Sequence, residues 1–126
     1  MAMSVTISDR TRKGITVVKF DWTSAADGTA TNSTTKLHSG KVLELATDPG
    51  STAPSADYDI TITDSDGLDV LAGQGADRHT SNTEYVIDSD SNPLGVVADS
   101  TLTINVSNAG DSKVGVAYLY LQATRW

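Results

Sequence analysis

The sequence predicts an all-β chain: a single-domain antiparallel β-sandwich, or a jelly-roll-like relative of one, with about seven or eight strands. Three observations carry this expectation. Apolar and polar residues alternate with a period of two in several short runs. No window of about 11 residues or more shows the 3.6-residue apolar spacing of an amphipathic helix. Turn signals such as Asp27-Gly28, Pro49-Gly50, Asp66-Gly67 and the run "SNAG" recur between the alternating segments.

Taken in order, Met3, Val5 and Ile7 alternate with Ser4, Thr6 and Ser8, which predicts a first strand and makes residues 1–8 a candidate arm. Val18, Phe20 and Trp22 alternate with Lys19 and Asp21 in a second. The segment "TTKLHSGKVLELAT" reads as extended, with a bulge or bend near Gly40 where strict alternation breaks. "DYDITIT" puts Tyr58, Ile60 and Ile62 on one face, and "TLTINVS" does the same with Leu102, Ile104 and Val106. Shorter strands are expected at 68–71 and 84–87. The run "KVGVAYLYLQA" carries Val116, Tyr118 and Tyr120 on one face and Ala117, Leu119 and Leu121 on the other. Both faces want cover, so it is either the central strand of the core or a strand half covered by another subunit. "ADYDITITDSDG" and "ADSTLTINVSNAG" echo each other and point to two similar hairpins. The polar tracts 24–35 and 73–83 read as surface loops.

A chain of 126 residues fits one domain, 1–126, and can bury a core without metal or disulfide staples. It has no cysteine, which removes a disulfide framework, a thiol nucleophile and cysteine-ligated zinc. The net charge of −7 argues against nucleic acid, because phosphate binding needs clustered Lys and Arg. Arg10, Arg12 and Lys13 form the one basic cluster, read either as a solvated loop between strands or as a patch that grips an acidic partner. "MAMSVTISDR" lacks the pattern of a secretory signal, and no run approaches the ~20 apolar residues of a membrane span, so a chain that folds in the cytoplasm is expected.

Two acidic stretches have the composition of calcium loops. Counting from Asp64, the fifth position is Leu68 and the twelfth Gly75, so the EF-hand template fails. Counting from Asp88, "DSDSNPLGVVAD" supplies oxygens at the right places, but Pro93 stands where glycine is required and no helix flanks the loop. Asp and Asn serve turns equally well, and that is the preferred reading for both. His38 lies in a strand pattern and is expected to face solvent. Asp77, His79 and Ser81 sit too close together in sequence to make a triad, and no G-x-S-x-G elbow is present. Neither a catalytic residue, a metal nor a cofactor is therefore expected.

The last two thirds of the chain resemble a group of small tailed-phage virion proteins. The likeness rests on "TDPGSTAP", "DYDIT", the "DSDG" turn, "GADR" and the final "NAG" hairpin, which mark turns and strands rather than a site. The resemblance implies a non-enzymatic structural protein, of the capsid decoration or cement type, on the outer surface of the head. Its partners would be the major capsid protein and further copies of itself, with a trimer as the working expectation and no nucleic acid or membrane. The competing readings are a tail-tube or neck component and a carbohydrate-binding or calcium-dependent adhesion module. The expected contact residues are Met3, Val5 and Ile7 on the N-terminal strand, the cations Arg10, Arg12 and Lys13, the two-faced strand's Tyr118 and Tyr120, and the terminal Arg125 and Trp126, since Trp and Arg are the residues most enriched among interface anchors.

Overall fold

The computed structural model describes residues 2–123 as a β-sandwich without helices. Among the described residues there are nine strands: β1 (Ser4–Arg12), β2 (Ile15–Thr23), β3 (Ala30–Ser33), β4 (His38–Pro49), β5 (Asp59–Thr63), β6 (Glu84–Ile87), β7 (Val96–Ser100), β8 (Thr103–Ser107) and β9 (Val114–Gln122). The larger sheet runs β1-β2-β9-β4-β6, with β7 also paired to β4, and the smaller runs β3-β8-β5. Every pairing is antiparallel.

The core is what the alternation dictates. Val18, Phe20 and Trp22 of β2, Ala117, Leu119 and Leu121 of β9, and Val42 and Leu45 of β4 are buried facing Ile60 and Ile62 of β5 and Ile104 and Val106 of β8. Burying side chains of this size is worth roughly 1.5–3 kcal/mol each, the main force joining the two sheets. Trp22 packs on Tyr58 with ring centroids 5.6 Å apart. The two echoing segments are neighbours, since β5 and β8 pair with Ile60 opposite Val106 and Ile62 opposite Ile104.

The two-faced C-terminal run is indeed a central strand: β9 lies between β2 and β4. Its Ala117, Leu119 and Leu121 are buried, while Val116, Tyr118 and Tyr120 are half-buried on the outer face of the larger sheet. Gly40, at φ 143°, sits at a register shift in the β4–β7 pairing, and a Cβ there would fall 2.7 Å from the Gln122 carbonyl oxygen. A second shift in the β4–β9 ladder, between Val42 and Glu44, moves the inward-facing set from Val42 to Leu45.

Four expectations are corrected. Residues 68–71 form no strand: the Asp69 carboxylate accepts N–H bonds from Ile62, Leu71 and Gly73 and turns the chain after one bridge, Thr63 to Asp69. The tract 24–35 contains a strand, β3, and 96–107 contains two, so the strands number nine. His38 is buried, because it shares the inward face with Val42. Arg10 and Arg12 are not in a loop: β1 continues to Arg12 and the connection is only Lys13 and Gly14, with φ of 53° and 81°. Positive φ at both central residues is the signature of the hairpin turn whose twist matches the strands.

Candidate functional site

Acidic groups suited to chemistry are occupied with holding loops. Asp64 Oδ1 accepts the backbone N–H groups of Asp66 and Leu68, both at 3.0 Å, which closes the turn around Gly67. Asp88 Oδ1 accepts the Leu94 N–H at 2.7 Å and Lys41 Nζ at 3.0 Å, and these bonds hold its carboxyl below the usual carboxylate range. His79 Nδ1 accepts the N–H groups of Ser81 and Asn82 at 3.0 and 2.9 Å, so this ring organises its own loop. Among the described residues no three His, Asp or Glu side chains gather as a metal site.

The surface that stands out is built by β1, β2 and β9. Alternation places Val5, Ile7 and Asp9 of β1 toward the core, and Ser4, Thr6, Ser8, Arg10 and Arg12 on the outer face. Register then lines up Arg10, Val17, Tyr120, Glu44 and Ile87 across the sheet, with Ser8, Lys19, Tyr118, Ala46 and Tyr85 in a second row. Lys19 Nζ lies 5.9 Å from the Tyr118 ring centroid, within reach of a cation–π contact. Among the described residues Arg10, Arg12, Lys13 and Lys19 make no ion pair, whereas Lys36, Lys41 and Arg78 are engaged by Asp9, Asp88 and Glu84. An acidic chain thus keeps four of its unneutralised cations on the hairpin whose outer face leads to its tyrosines, while a fifth, Lys113, stands just before β9.

Below this face, along the free side of β1, the two sheets leave a cleft of ≈ 250 Å³ lined by Ile7, Asp9, Asn32, Thr34, Lys36 and His38. Asp9 binds Lys36 at 3.1 Å, and its other oxygen lies 3.7 Å from His38 Nε2. Burial pushes the His38 imidazole below its ordinary pKa, which outweighs the opposing pull of Asp9, and the nearby Lys36 charge acts with burial. Sequence reasoning missed this pair, because nothing in the spacing of Asp9 and His38 shows that β1 and the start of β4 flank one cleft.

Of the residues expected to make contacts, Arg10, Arg12 and Lys13 stand together at one end of the hairpin, with Tyr118 and Tyr120 two strands away on the same face. Val5 and Ile7 are half-buried against the core, and Met3 is 40% exposed with its sulfur accepting the Thr31 N–H. Arg125 and Trp126 lie outside the described residues.

No protein-family model matches the chain, and no curated protein or solved structure matches it either.

Proposed function

We propose that this chain is a non-enzymatic structural protein of a tailed-phage virion, of the capsid decoration type, which binds the outer surface of the head. The observation that carries the reading is the outer face of β1, β2 and β9. There half-buried Tyr118 and Tyr120 share the face with Lys19, Arg10 and Arg12, and with Lys13 in the adjoining turn, four cations without acidic partners among the described residues. Aromatic residues and arginine are what protein interfaces concentrate, and unpaired cations on an otherwise acidic protein steer it to an acidic patch on its partner. The carboxylates of Asp64 and Asp88 and the ring of His79 serve loop geometry, which supports a binding role over a chemical one. The likeness of the turn and strand motifs to small virion proteins supplies the partner, the major capsid protein. Repetition of its sites over a shell turns a modest single contact into durable attachment.

The test is co-sedimentation of the purified chain with heads that lack it. The native protein pellets with heads, and the Arg10→Glu, Arg12→Glu double variant stays in the supernatant while melting at the native temperature. Equal binding by both proteins contradicts the assignment of this face.

A further inference from the structure

Among the described residues β1, β6 and β7 each have one edge of the larger sheet without a strand partner, and the backbones of β1 and β6 are complementary. The two-residue turn makes Arg12 and Ile15 exchange backbone bonds, so the even-numbered residues of β1 point toward β2. Val5, Ile7, Asp9 and Thr11 therefore direct N–H and C=O off the sheet, and Asn32 Nδ2 does reach the Val5 carbonyl from that side at 3.0 Å. The same alternation, carried through β2, β9 and β4, leaves Tyr85 and Ile87 of β6 pointing off the opposite edge. The Asp88 N–H, one residue on, turns back to the Leu43 carbonyl at 2.9 Å, as that phase requires. Both side chains of the outward pair are apolar and well exposed, Tyr85 at 64% and Ile87 at 59%.

Successive antiparallel steps from β1 to β6 bring the chain back to its starting direction, so the two edges run the same way. The register places Ser8 level with Tyr85 and Arg10 level with Ile87. We propose that a second copy of this chain adds its β6 to β1 as a parallel strand, Tyr85 beside Ser8 and Ile87 beside Arg10, so that the larger sheet continues from copy to copy. In a parallel ladder each outward residue bonds to the two residues flanking its neighbour. Tyr85 N–H then donates to the Ile7 carbonyl and Asp9 N–H to the Tyr85 carbonyl. Ile87 N–H donates to the Asp9 carbonyl and Thr11 N–H to the Ile87 carbonyl. Among the described residues these groups have no other backbone partner. Asp90, which makes no ion pair among the described residues, follows β6 at the end of the sheet where Arg12 and Lys13 stand.

A symmetric pairing of β1 with itself is less suitable. Centred on Asp9 it opposes two carboxylates, centred on Arg10 it opposes two guanidinium groups, and centred on Ser8 it needs the Val5 carbonyl that Asn32 already holds. A β6-to-β1 contact uses different surfaces on the two copies, so it closes into a ring or extends as a filament. This contact goes beyond the virion assignment and is tested on the isolated chain, leaving that assignment to particle binding.

The native chain has no cysteine, so cross-linking can be directed cleanly. Ser8→Cys and Tyr85→Cys variants, mixed at high concentration with a short bismaleimide, should give cross-linked pairs, while neither alone does. The double variant should give a ladder of multimers. Thr11→Pro removes an N–H that faces away from β2, so it should abolish the ladder and keep the native melting temperature. Self-cross-linking of Ser8→Cys alone would mean a symmetric β1 contact, and absence of any ladder would mean no such edge contact; either result overturns the proposal.

Discussion

Gly115 stands directly opposite Trp22 in the β2–β9 ladder, and a Cβ on Gly115 would fall 2.5 Å from Trp22 Cζ2. The glycine makes room for the largest side chain of the core, and the indole in turn packs on Tyr58. Gly115→Ala should therefore push Trp22 out of its seat at a cost of about 1–3 kcal/mol, the usual scale of overpacking. Urea unfolding monitored by Trp fluorescence measures it, and an unchanged midpoint would show that the indole can move aside freely.

The turn after β5 separates backbone strain from carboxylate chemistry. Gly67 has φ 83° with no atom within 4 Å of an added Cβ, so the penalty of Gly67→Val is conformational, roughly 1–2 kcal/mol. Asp66→Asn should leave stability within ~0.5 kcal/mol, as for ordinary surface substitutions, because Asp64 rather than Asp66 holds the turn. Thermal melts of both variants with and without calcium check this. A calcium-dependent rescue of Asp66→Asn would establish a metal role.

Tyr58 is fully buried and burial pushes its phenol pKa up against the opposing pull of the Thr47 hydroxyl, yet neither of these two buried hydroxyls makes a hydrogen bond of acceptable geometry among the described residues. Removing an unsatisfied buried hydroxyl while keeping the ring relieves a desolvation cost of about 1–3 kcal/mol. Tyr58→Phe should thus be neutral or stabilising in chemical denaturation. A loss above ~1 kcal/mol, the worth of a typical hydrogen bond, would reveal a bond to that oxygen.

His38 should make stability depend on pH. Its pKa in the fold lies below the 6.5 of the unfolded chain, so the unfolded state takes up the proton first as pH falls. Its contribution is whole above 6.5, declines as pH drops through that value, and levels off below the folded pKa. Denaturation midpoints across this window should fall for the native protein and run flatter for His38→Gln. Parallel profiles for the two would remove His38 as the source.

Most of the sandwich was legible because burial on one face imposes a period of two, and β2, β5, β8 and β9 all show it in unbroken runs. The misreadings share a physical origin. Asp69 ends a strand-like run by capturing backbone N–H groups, and β3 hides in a polar tract because only Ala30 of its four residues is buried. The proposed contact face is legible in part: the sequence marks the cations and tyrosines singly, but their place on one face depends on long-range register. The complementarity of β1 and β6 was out of reach for the same reason, since it is a property of the sheet order rather than of either segment.

A cryo-electron map of the particle will show whether this chain decorates the head, as proposed. A β-sandwich of this topology should lie on the outer surface of the shell, with Tyr118, Tyr120 and the Arg10–Lys13 hairpin turned toward the capsid subunits. The sandwich found in the tail or neck, or missing from purified particles altogether, would contradict it.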